Sequence, residues 1–122
     1  MPSATALVVK LTAGAEEAER ANQALTVAAT ALASGVDVSL WLTGEAAWLA
    51  VPGRAAELSL PLAAPAEDLL ETLLAGGSVT VCSQCAARRD LTEAGLLPGV
   101  TIRGAAAFVE EILRPDTQAL VY

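Results

Sequence analysis

The chain has 122 residues, 54% hydrophobic and 17% charged, with 14 acidic side chains, 7 basic ones and no histidine. A chain this long and this apolar buries enough surface to offset its ordering entropy, which excludes disorder, while its length excludes a second folded domain; residues 1–122 are expected to form one domain. The net charge of −7 argues against nucleic acid and polybasic membrane anchoring, and the missing histidine removes Ser-His-Asp and Cys-His catalysis and His-ligated zinc.

Residues 6–11, with β-branched Val8 and Val9, form a first strand whose apolar run is interrupted only by Lys10. Its poor alternation suits a parallel strand covered on both faces. Over residues 16–34 the period changes to that of a helix: Leu25, Ala28, Ala29 and Leu32 share one stripe, and Glu16, Glu17 and Glu19 crowd the start, where the helix dipole favours negative charge. Gly35 is placed to end it in a left-handed conformation. A second strand follows over residues 36–43, closed by Gly44, and residues 45–51 suit a short helix. Leu58-Ser59-Leu60 is expected as a short edge strand between Arg54 and Pro61.

Pro65, with Glu67 and Asp68 behind it, opens a helix whose buried side is Leu69, Leu70, Leu73 and Leu74, stopped by Gly76-Gly77. Residues 78–82 form a central strand, and Ser83 is expected to cap a short helix running through Arg89. Residues 91–99 give a turn or short helix, and residues 100–102 another strand. After Gly104 a helix carries Ala105, Phe108, Val109 and Ile112 on one stripe and ends near Pro115; residues 118–122 make the last strand. Glu110 and Glu111 are expected on its solvated side, and Trp41 and Trp48 in the core or at a subunit contact. Strands alternating with helices imply an α/β fold, a three-layer α/β/α arrangement around a mostly parallel five-stranded sheet. Right-handed crossovers gather the strand-to-helix loops at one sheet edge, where reactive groups collect.

That edge holds Cys82-Ser83-Gln84-Cys85. A thiol at the start of a helix faces unpaired N–H groups that stabilise its thiolate, and a spacing of three brings a second thiol within reach of a disulfide. Cys82 is therefore the candidate nucleophile and Cys85 the candidate resolving thiol, with Ser83, Gln84, Arg88 and Arg89 in support. Two other readings stay open at this point: small buried hydrophobes, or half of a zinc site completed by a second chain. Other motifs carry less. The turn from Leu11 to Glu17 lacks the glycine run and lysine of a phosphate loop, and its glutamates would repel phosphate. Four aromatic residues make poor stacking platforms. No cofactor and no metal within one chain is expected. The start, Met1 to Thr5, has no basic segment leading into an apolar one, and no apolar run approaches the ~20 residues of a membrane span, so the expected location is cytoplasmic.

The order of these motifs resembles the DsrE/DsrF-like family, with its TusD and YchN branches. The resemblance lies in Ala6-Leu7-Val8-Val9-Lys10-Leu11-Thr12 with the acidic helix start and Ala21-Asn22, in Gly35-Val36-Asp37-Val38-Ser39-Leu40-Trp41-Leu42-Thr43-Gly44, in Val79-Thr80-Val81-Cys82-Ser83-Gln84-Cys85, and in Leu97-Pro98-Gly99-Val100. It implies small α/β subunits assembled as trimers or hexamers that relay sulfane sulfur as a cysteine persulfide between donor and acceptor proteins. In the DsrE and TusD branches the reactive cysteine stands six and seven residues before an Arg-Arg pair, which Cys82 does relative to Arg88 and Arg89. Cys85 matches the additional cysteine of the YchN-like branch, and Asp90 replaces a glycine frequent after the arginines. The competing expectations are a homo-oligomeric module with a Cys82–Cys85 redox switch, and a small-molecule binding protein without chemistry.

Overall fold

A computed structural model describes residues 4–122. Five strands, β1 (Ala6–Leu11), β2 (Asp37–Leu42), β3 (Ser78–Cys82), β4 (Thr101–Arg103) and β5 (Thr117–Val121), form one all-parallel sheet in the order β4-β3-β2-β1-β5. Four α-helices connect them: α1 (Ala18–Ala33), α2 (Ala66–Gly76), α3 (Ser83–Arg88) and α4 (Ala105–Ile112).

The chain steps from β1 to β4 in one direction across the sheet, so right-handed crossovers place α1 and α2 on the same face. It then returns from β4 at one edge to β5 at the other, which puts α4 on the opposite face. The result is the expected three-layer α/β/α architecture. Its two faces differ in chemistry. Val9, Leu11, Val38, Leu40, Leu42, Val79 and Val81 point toward α1 and α2, where Ala21, Ala24, Leu25, Ala28, Leu70 and Leu73 close an aliphatic core. Each fully buried leucine there contributes about 1.5–3 kcal/mol relative to an exposed one. The α4 face carries Lys10, Ser39, Trp41, Thr80, Cys82 and Arg103, because side chains alternate along a strand.

That polar face overturns one expectation. Glu111, placed by its sequence on a solvated helix side, is buried, whereas Val109 and Leu113 point outward. Ser39 Oγ donates to Glu111 Oε1 at 2.6 Å, Trp41 Nε1 donates to the same oxygen at 3.1 Å, and Arg103 pairs with the other. A carboxylate faces inward because the strands beneath α4 present donors. Trp41 lies in the interior, edge-on to Phe108 with ring centroids 5.3 Å apart.

One local expectation is also corrected. Residues 58–60 form no strand; a 3-10 turn over Ala55–Glu57 precedes them, and Leu58 plugs into the core. The alternation of the two leucines mimics a strand, but Pro61 lacks an N–H and Leu62 adopts a φ of +61°, which breaks any ladder. The short helix expected over residues 45–51 is present as a 3-10 segment, Gly44–Ala50. No helix among the described residues is long and apolar enough to cross a membrane.

Candidate functional site

The turn from β3 into α3 has no loop residue at all: the last strand residue, Cys82, is itself the N-cap of the helix, with φ −60° and ψ 130°. Ser83 therefore begins the helix instead of capping it. A strand that runs straight into a helix places its final side chain at the cap, so the sulfur takes the position a serine hydroxyl would occupy. No side chain makes a cap hydrogen bond here, which leaves the backbone N–H groups of Gln84 and Cys85 facing the Cys82 sulfur. Burial pushes that thiol up, but the N–H groups of Cys85 and Gln84, the Cys85 side chain and the Lys10 charge outweigh it and hold Cys82 below the ordinary thiol range. Cys82 is partly exposed.

Cys85, one turn on, is buried and free. The Gly44 N–H donates to its sulfur at 3.1 Å, tying the loop after β2 to the thiol pair. Only glycine suits this approach: φ is +55°, and a Cβ would stand 3.0 Å from the Thr12 carbonyl oxygen. The other predicted site residues divide. Gln84 and Arg88 point to solvent and Ser83 is half-buried. Arg89 turns away from Cys82: its guanidinium donates to Glu45 Oε2 at 2.9 Å and to the Cys85 carbonyl at 3.1 Å. The arginine pair thus fastens α3 to the Gly44–Ala50 segment through one member, Arg89, and leaves Arg88 open. Arg89 in turn holds the Glu45 carboxyl below its ordinary value, with burial opposing and Trp48 adding to the effect.

The cation whose field does reach Cys82 is Lys10, which the motif pattern did not single out. Its one sequence signal was being the only charge inside an otherwise apolar strand. Glu45, Arg103 and Glu111 were equally unforeseen, since their partners lie 44 and 8 residues away and no spacing rule pairs them. Among the described residues no group of three or more cysteine, aspartate or glutamate side chains could hold a metal. A surface depression bounded by Asp37, Ser39, Ser78 and Arg114 opens at the other end of the strands from Cys82. The thiol stands partly exposed at the carboxyl end of β3.

The DsrE/DsrF-like family model matches residues 6–118. The chain belongs to the DsrE/DsrF-like family. That match runs from the start of β1 through α4 into the first residues of β5 and includes both cysteines. Among solved structures, the YchN protein from E. coli is similar over 97% of this chain and 99% of its own, with a TM-score of 0.80 at 21% identity. A protein of unknown function from Methanobacterium thermoautotrophicum, MTH1491, has a TM-score of 0.72 at 11% identity, covering 96% of this chain and 99% of its own. A conserved protein of unknown function from Bacteroides thetaiotaomicron, BT1422, has a TM-score of 0.61 at 16% identity over 100% of this chain and 98% of that one. At these identities the likeness establishes a shared fold. No curated sequence matches the chain. Within this DsrE/DsrF-like fold the paired thiols stand at the carboxyl end of β3, the sheet edge where open α/β folds place their chemistry.

Proposed function

We propose that this DsrE/DsrF-like protein is a sulfur-relay carrier that holds sulfane sulfur as a persulfide on Cys82. One observation carries this function: a partly exposed thiol at a helix cap, with backbone N–H groups and a lysine favouring its thiolate and a second thiol one turn away. The Cys82 thiolate attacks the terminal sulfur of a donor persulfide, the donor S–S bond breaks, and its electron pair leaves with the donor thiolate. An acceptor thiolate then takes the sulfur by the same step. Cys85 offers an internal exit: its thiolate attacks the Cys82 sulfur, expels hydrosulfide and leaves a Cys82–Cys85 disulfide. The helix-cap N–H groups and Lys10 favour the thiolate, so the nucleophile is activated by a lowered pKa and not by a histidine base, which the chain lacks. Donor and acceptor are protein persulfides and thiols, for which an open edge is better suited than an enclosing pocket.

The chain is also proposed to assemble with copies of itself, as a trimer or hexamer. Val109, Leu113 and Val121, which are 46%, 75% and 65% exposed, supply apolar surface for that contact. The sulfur-relay function is tested by cyanolysis. Protein exposed to a persulfide donor and freed of excess reagent should release thiocyanate close to one equivalent per chain, and the untreated reduced protein none. Formation of an internal disulfide with no thiocyanate would instead identify a redox switch.

A further inference from the structure

Lys10 is a half-buried cation for which, among the described residues, no carboxylate lies within ion-pair distance. Its register partner on β2 is Trp41, whose own partner on β3 is Thr80, so all three share a row on the α4 face; Cys82 and Arg103 form the next step along that same face. The ammonium is held against the Phe108 ring, 5.2 Å from its centroid, which fixes its direction without neutralising it. Arg103, the other cation of this face, is committed to Glu111 and to the Trp41 ring. A positive charge partly shielded from water and left without a counter-ion is stabilised by the arrival of an anion.

We propose that Lys10 is the recognition residue for the negative charge of the sulfur donor, so that Cys82 takes sulfane sulfur from anionic donors in preference to neutral ones. The proposal rests on the sulfur-relay function and names its substrate class: persulfide or thiosulfonate anions, as against neutral trisulfides. Transfer from such a donor brings two anions together. The Cys82 thiolate forms a bond to the sulfane sulfur, the donor's S–S bond breaks, and the pair departs on the donor's thiolate or sulfinate-type leaving group. Net charge is conserved, no proton moves and no outside oxidant or reductant takes part. A lysine on the same sheet face, one row from Cys82, offsets the repulsion on approach and favours the persulfide anion formed.

The test compares alkylation of Cys82 by iodoacetate, an anion, with iodoacetamide, its neutral analogue, locating the adduct by fragment mass. In Lys10→Met the iodoacetate-to-iodoacetamide rate ratio should fall roughly two- to fivefold, the size of one unit charge acting across partly screened space. Lys10→Arg should keep the ratio, and added salt should shrink the difference between wild type and Lys10→Met. An unchanged ratio in Lys10→Met overturns the proposal, as does an equal loss in Lys10→Arg, which would mark the ammonium's stem as mere packing. Both alkylation outcomes stand whether or not Cys82 accepts sulfur, so failure of the sulfur-relay function is read separately by cyanolysis.

Discussion

Glu111→Ala is expected to destabilise the protein by about 3 kcal/mol, lowering the melting temperature by about 10 °C for a chain of this size. The reason is geometric. The carboxylate is buried and receives Ser39 Oγ, Trp41 Nε1 and the Arg103 guanidinium. Alanine leaves the buried indole N–H without an acceptor, strips Arg103 of its carboxylate partner and removes the polar tie between α4 and the sheet. Glu111→Gln should lose less, because one amide oxygen can still accept from Ser39 and Trp41, while the amide NH2 turned toward Arg103 supplies neither charge nor acceptor. Glu110→Ala, one position away and exposed, should stay within ~0.5 kcal/mol of wild type. The pH dependence has a definite sign. Burial raises the Glu111 pKa, but Ser39, Trp41 and Arg103 more than reverse this and hold it below the ordinary carboxylate value. Its contribution is therefore complete above the unfolded-state pKa and disappears as pH falls through the lower folded one. Urea titrations of wild type and Glu111→Ala should differ most near neutral pH and converge in acid; an equal gap throughout would show that ionisation of Glu111 is irrelevant to the effect.

Cys82→Ser should abolish sulfur loading, whereas Cys85→Ser should load and then hold its sulfur longer than wild type. A serine hydroxyl at the cap would accept the same N–H groups, so the fold is expected to survive while the nucleophile is lost. Cys85 is buried under the Gly44 N–H, and in the proposed cycle it acts only after loading, by displacing hydrosulfide from the Cys82 persulfide. Removing it closes that internal exit. Thiocyanate release followed over time after donor removal separates the two: none from Cys82→Ser, and slower decay from Cys85→Ser than from wild type. The reverse pattern, with Cys82→Ser loading normally, would move the nucleophile to Cys85.

Much of this architecture was legible because local signals and the global fold agree. The Val8-Val9 strand, the Leu25–Leu32 stripe and the Gly35 stop each specify their element, and the right-handed crossover rule assembles them. The cysteine pair was legible from its spacing and its place after β3. What stayed hidden is the face under α4. There the usual pattern is inverted: a carboxylate points inward and Val109 outward, because Ser39, Trp41 and Arg103 demand an acceptor and no hydrophobic period encodes that. Arg89 misled for a related reason. It was expected to support the site as a free cation beside Arg88, but its guanidinium is satisfied by Glu45, 44 positions away in sequence. The leucines at 58 and 60 show the opposite failure, a two-residue period arising in an irregular segment where Pro61 forbids pairing.

The most direct measurement is the intact mass of the reduced protein after brief exposure to a persulfide donor, followed by fragmentation across residues 82–85. A gain equal to one sulfur atom, located on Cys82 and reversed by a reductant, is the expected result. An unchanged mass, or a loss of only two hydrogens with no sulfur gained, would contradict carriage of sulfur by this thiol.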